Sequence, residues 1–198
     1  GRAVDELGGK VSGACVAIDF TVAEAVLRNV SACVAAGVPL VEGTTGWNDE
    51  RAEIERIVRE GKGAMVFGAN FSIGVNLFYR IVAQAAELFA KFPKYEAFIE
   101  EQHHSRKKDA PSGTALKLKD VVAEHIKKDF SISATRAGNI PGTHRVGFDG
   151  PADQITLTHT ARAREGFAIG AIMAAEWIVG KTGFYEFTDV IDEILEKR

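Results

Sequence analysis

Apolar positions in the first seventy residues alternate between short unbroken runs and stretches repeating at three- and four-residue spacing. Ala14–Phe20 is such a run, rich in β-branched residues, and reads as a strand. Thr21 stands at the N-cap position of a helix carrying Ala23, Val26, Leu27, Val30, Cys33 and Val34, and Gly37 closes it. Pro39–Glu42 is the next strand. A helix beginning near Asn48 or Asp49 presents Ile54, Ile57 and Val58 and stops at Gly61, and Ala64–Phe67 is a third strand. Continuous apolar strands separated by helices describe a parallel sheet covered on both faces.

Beyond Asn70 the pattern changes. Val75–Ala90 reads as a long helix, Tyr95–Glu101 as a strand, and Ser112–Lys128 as a helix capped by Ser112. Ile132–Arg136, Arg145–Asp149 and Gln154–Ala161 are strand-like segments between Gly- and Pro-bearing turns. Phe167–Val179 returns to helix, its apolar stripe to Trp177 reading as core, and Asp189–Lys197 is a short terminal helix. The order predicts an α/β chain. A Rossmann-like parallel-sheet domain is formed by 1–71 and 165–198, and 72–164 is an inserted α+β domain with a mixed sheet.

Composition narrows the function classes. The 198 residues are 46% hydrophobic and 26% charged with a net charge of −3, which excludes a disordered or collagen-like chain. No apolar run reaches the ~18 residues of a membrane span, so a soluble, cytoplasmic protein without a membrane partner is expected. Cys15 and Cys33 lie in apolar stretches with no Cys-x-x-Cys and no histidine at ligand spacing. They read as small core residues, and no metal site is expected.

The densest polar stretch is Glu101-Gln-His-His-Ser-Arg-Lys-Lys-Asp-Ala-Pro-Ser-Gly-Thr-Ala115. One reading is a solvated basic loop. The other is an anion site: free N–H groups at a helix start, Gly113 for close approach, the Ser112 and Thr114 hydroxyls, and cations just upstream. A histidine beside it can act as a general acid near neutral pH. Asp19-Phe-Thr21, Gly43-Thr-Thr-Gly46 and Gly68-Ala-Asn-Phe71 fall at the carboxyl ends of the parallel strands, the edge where open α/β sheets bind ligands. His144 and His159 read as structural histidines within the sheet, and His125 as solvated.

The run from Glu101 to Ala115 closely resembles the signature of the 4-hydroxy-tetrahydrodipicolinate reductase (dihydrodipicolinate reductase) family of NAD(P)H enzymes in the diaminopimelate route to lysine. His103, His104, Lys107 and Asp109-Ala-Pro-Ser-Gly-Thr-Ala115 supply its pattern. The resemblance continues in Asn70-Phe-Ser-Ile-Gly-Val-Asn76, Arg136–His144, Thr158–Arg164 and Gly183–Val190. It implies His103 as proton donor, Lys107 as second donor and carboxylate anchor, and His104, Gly113 and Thr114 as substrate-carboxylate positions. It implies Gly43, Thr44 and Thr45, then Gly68, Ala69, Asn70 and Phe71, as lining the nicotinamide half of NADH or NADPH. Hydride would pass to ring C4 of a small dicarboxylate substrate as water is lost. A homotetramer joined through the substrate-domain sheet is also implied.

The family opens with a strand and a Gly-rich loop, and Gly1-Arg2-Ala3 resembles the tail of that loop running into a helix at Val4–Leu7. The nucleotide domain is therefore expected to be N-terminally incomplete, with Ala14–Phe20 left as an apolar edge and weak dinucleotide binding. Two other classes compete with the reductase. One is a dicarboxylate-binding or assembly module without turnover. The other is a phosphate- or nucleic-acid-binding domain using Arg106–Lys108, which the negative net charge and the lack of interleaved aromatics disfavour, so no nucleic-acid partner is expected.

Overall fold

The computed structural model describes residues 9–197. The expectations for Gly1–Ala3 and Val4–Leu7 lie outside them. In chain order the elements are β1 (Ala17–Asp19), α1 (Ala23–Ala35), β2 (Leu40–Glu42), α2 (Arg51–Glu60), β3 (Ala64–Phe67), α3 (Ile73–Phe89) and β4 (Glu96–His103). There follow α4 (Gly113–His125), β5 (Ile132–Arg136), β6 (Thr143–Asp149), β7 (Gln154–Thr160), α5 (Glu165–Ile178), β8 (Gly183–Glu186) and α6 (Phe187–Glu196). The chain divides into two units. One is built from the segments up to Ile73 and from Glu165 onward, the other from Gly74–Arg164.

The first unit holds a parallel sheet in the order β1-β2-β3-β8. Its core joins α1, the central strands and α2 through Val26, Val30, Trp47, Ile54, Val58 and Met65. Gly37, at φ +66, ends α1 in the left-handed conformation that glycine adopts at least cost. The helix starts one residue later than the sequence reads. Thr21 N–H donates to Asp19 Oδ1 (2.9 Å), so Thr21 belongs to an Asx-type turn and Val22 takes the cap position without a side-chain bond. Near Asn48 a single 3₁₀ turn, Asn48–Glu50, precedes α2.

Three further expectations need correcting. Cys33 is buried, but Cys15 is exposed, because it precedes β1 rather than lying inside it. The apolar stripe of α5 is not wholly core: Gly170, Ala171, Ala174, Ala175 and Ile178 face inward, while Ile169 and Ile172 are more than half exposed. The helix lies so close to the segment after β3 that a Cβ on Gly170 would sit 1.7 Å from the Phe71 carbonyl oxygen, which leaves no room for a side chain at that position. The sequence pattern predicts no strand at Gly183–Glu186, yet β8 completes the sheet there by pairing with β3. Among the described residues β1 pairs with β2 alone and is an edge strand, with Ile18 and Phe20 about half exposed.

The second unit is a mixed sheet, β5-β4-β6-β7, with β4 and β5 parallel and the other pairs antiparallel. Its core packs α3 and α4 on the sheet through Phe78, Val82, Ile99, Leu118, Val122 and Phe148. Among the described residues no helix is long and apolar enough to cross a membrane.

Candidate active site

Alternation along β4 places the site. Ala97, Ile99, Glu101 and His103 point successively to the core face, so two polar side chains end a strand face that began apolar. Register then fixes their neighbours: His103 lies opposite Arg136 on β5, and Glu101 opposite His144 on β6. Glu101 is fully buried and its carboxylate is saturated from three sides. Oε1 accepts from Arg136 Nη2 (2.6 Å) and from the Ser112 backbone N–H (3.1 Å), while Oε2 contacts His103 Nδ1. Ser112 also caps α4, its Oγ accepting from Ala115 N–H (3.3 Å) and lying 3.0 Å from His144 Nε2.

Burial alone would raise the Glu101 carboxyl. The hydrogen bonds from Arg136 and His103, with the Ser112 N–H, outweigh it and hold the group below its ordinary value. His103 is shifted down, first by burial and further by the Lys107 and Arg136 charges, with Glu101 opposing. His144 is pushed down to about 4, mainly by burial, and is a neutral imidazole at physiological pH. Its ring meets that of His103 edge-on at 5.1 Å. Glu101, His103 and His144 are close enough together to suit a cation. The Arg136 guanidinium already supplies the positive charge at that carboxylate.

The loop after β4 carries the remaining candidates. Lys107 Nζ pairs with Asp109 Oδ1 (2.9 Å), and the Gly113 backbone N–H also donates to Asp109, so the helix start does hold an anion, here an internal carboxylate. A Cβ on Gly113 would meet nothing within 4 Å, leaving open space above the helix end. Thr114 is hydrogen-bonded to Tyr79. His104 is half-buried, and its Nδ1 is shielded from solvent without a hydrogen-bond partner. The structure thus brings His103, His104, Lys107, Gly113 and Thr114 to one end of the second unit. A cavity of about 590 Å³ lies at the opposite end of β4, around Phe89, Tyr95, Phe98 and Lys128, and contains none of them.

In the first unit the three strand ends are laced together. Gly43 N–H donates to Asp19 O (2.8 Å) and Gly68 N–H to Glu42 O (3.1 Å). The bare α-carbon of Gly43 lies against the Phe20 ring, where a Cβ would come within 2.1 Å. Thr45 and Ala69 are exposed, and the Thr44 side chain is hydrogen-bonded to the Glu42 carboxylate. Asn70 Oδ1 accepts from Ser72 N–H (2.9 Å). The Phe71 ring is buried against Phe187, so Phe71 offers this edge its backbone.

Residues 3–71 match the family model described as dihydrodipicolinate reductase, N-terminus, and residues 74–191 the one described as dihydrodipicolinate reductase, C-terminus. The chain belongs to the dihydrodipicolinate reductase family. A 4-hydroxy-tetrahydrodipicolinate reductase from Christiangramia forsetii is 38% identical over 193 residues, covering 91% of this chain and 81% of the relative. One from Methanosarcina barkeri is 41% identical over 199 residues, covering 92% and 74%. A dipicolinate-bound dihydrodipicolinate reductase from Paenisporosarcina sp. TG-14 has the same fold, with a TM-score of 0.71 at 24% identity over 85% of this chain and 70% of that one.

Within the dihydrodipicolinate reductase signature, the sequence reading gave no role to Glu101, Arg136 or Gly142. Spacing could have found Glu101: i and i+2 on a strand share a face, so Glu101 and His103 had to be neighbours. Arg136 and Gly142 reach the site only through strand register, which a single sequence does not display.

Proposed function

We infer that this chain is an oxidoreductase that uses NADH or NADPH to reduce 4-hydroxy-tetrahydrodipicolinate to tetrahydrodipicolinate in the diaminopimelate route to lysine. Membership of the reductase family, with relatives about 40% identical over most of the chain, carries this reading. The dinucleotide, when bound, supplies the hydride. Gly43, Thr44 and Thr45, with Gly68, Ala69, Asn70 and the Phe71 backbone, are the residues we propose to hold its nicotinamide half.

Hydride addition to the substrate ring displaces an electron pair that must meet a proton. His103 is the proposed donor, through its Nε2. Lys107 is the proposed second donor and carboxylate anchor, exchanging its Asp109 partner for a substrate carboxylate. His104, Gly113 and Thr114 complete the carboxylate cradle, and the shielded, unpaired Nδ1 of His104 supports that role. The same reading extends to a cytoplasmic location and a homotetramer joined through the β5-β4-β6-β7 sheet. The exposure of β7, where Ile155 is nearly half accessible, supports such a contact.

The test is NAD(P)H oxidation with enzymatically generated substrate. Wild-type protein turns over, and His103→Ala loses about 10²-fold or more in kcat, the scale of a missing general acid. Equal rates for the two proteins would overturn the donor assignment. Binding of dipicolinate by folded protein without turnover would favour the binding-module alternative.

A further inference from the structure

The geometry points to Glu101 as the positioning residue of the proton donor: its buried carboxylate, fixed on one oxygen by Arg136 and the Ser112 N–H, holds Nδ1 of His103 with the other and leaves Nε2 as the only route for the transferred proton. The inference rests on His103 being the donor.

Three observations carry it. The first is that Glu101 cannot turn away, because Oε1 is gripped at 2.6 and 3.1 Å by groups on β5 and at the start of α4. The second is the ring edge left free. A Cβ on Gly142 would lie 3.2 Å from His103 Nε2, so a bare backbone position, at φ +136, leaves the Nε2 edge uncovered. The third is charge. The titratable and charged groups facing His103 are Glu101 on its own strand, Lys107 on the following loop, Arg136 on β5 and His144 on β6, with Asp109 paired to Lys107. Among them Glu101 is the one whose charge favours the imidazolium in direct contact, opposing burial and both neighbouring cations.

A neutral ring with its proton on Nδ1 is also what remains after Nε2 has given its proton away. The carboxylate therefore matches the donor before and after transfer. Glutamine cannot. Its single amide oxygen is claimed by Arg136 and Ser112 N–H, which turns the NH₂ toward Nδ1 and favours the opposite tautomer.

The experiment compares wild type, E101Q, H103A and E101Q/H103A over pH 5.5–9 in the reductase assay, with circular dichroism and dipicolinate binding as checks on folding. E101Q is expected to lower kcat about 10- to 100-fold, with KM changed less than about threefold. The alkaline limb of its pH profile moves to lower pH, because His103 holds its proton less well. The double variant falls no more than about twofold below H103A, since both changes remove one function. A residue that merely braced the loop would add its loss to that of H103A and leave the pH limb in place; that outcome overturns the inference while the donor assignment stands. H103A at the wild-type rate overturns both. Nitrogen-15 histidine spectra of the wild-type protein need no variant: neutral His103 with its proton on Nδ1 is expected, and a proton on Nε2 refutes the inference outright.

Discussion

Replacing Glu42 with glutamine stabilises the parallel-sheet unit, increasingly so as the pH rises. Glu42 ends β2 and is completely buried. One carboxylate oxygen accepts from Thr44 N–H (2.7 Å), and the Asp19 carboxylate stands on the neighbouring strand. Burial, with a smaller contribution from Asp19, lifts its pKa from 4.5 to about 7 against the Thr44 hydrogen bonds. The folded state therefore binds this proton more tightly than the unfolded one. Its contribution is complete below pH 4.5 and is lost as pH rises through 7. At about 1.4 kcal/mol per pH unit, the difference between 4.5 and about 7 amounts to about 3 kcal/mol. E42Q keeps the acceptor for Thr44 and removes the charge, so its stability gain should be about 3 kcal/mol at pH 9 and under about 1 kcal/mol at pH 5. Urea titration followed by tryptophan fluorescence reads this directly, since the chain's two tryptophans, Trp47 and Trp177, both lie in the first unit. A gain that does not grow between pH 5 and pH 9, or a loss at pH 9, would refute the reasoning.

Two further outcomes follow from packing and titration. Gly170→Ala puts a methyl group 1.7 Å from a backbone carbonyl that cannot yield locally; a destabilisation of about 3 kcal/mol is expected by the same fluorescence titration, and a change under about 0.5 kcal/mol would contradict the contact. His144, held neutral by burial with its pKa at about 4, binds fewer protons folded than unfolded below pH 6.5. Its stability contribution is full above pH 6.5 and is lost as pH falls toward 4, by about 2–3 kcal/mol between pH 7 and 4.5. His144→Asn should flatten that part of the profile in urea titrations followed by circular dichroism, and an unchanged slope would count against it.

Where local chemistry decided the structure, the sequence was a good guide. Ala64–Phe67 and Ile132–Arg136 form strands with the bounds their apolar pattern indicates, and Ser112 caps its helix as its hydroxyl predicts. Family likeness supplies the proposed roles of His103 and Lys107, and the alternation of β4 could have added Glu101. Tertiary contacts account for the misses. Gly183–Glu186 becomes a strand because the free edge of β3 accepts it, and no local periodicity announces this. The Phe167–Trp177 stripe turns its small residues inward because a backbone lies against it. Glu42 reads as the polar end of a strand, yet it is more deeply enclosed than most of the apolar residues around it.

The first unit is also discontinuous in the chain, and this bears on how the protein is made. A ribosome releases β1, β2 and β3 early, but the strand that satisfies the other edge of β3 follows only after the whole of Gly74–Arg164 has emerged. Nascent chains thus carry an open, apolar strand edge until β8 arrives, while the second unit, contiguous in sequence, can close as soon as it is out. Truncation between Arg164 and Gly183 would accordingly leave a finished second unit beside an unfinished sheet. Chaperone demand during expression should track that interval rather than the stability of the completed molecule.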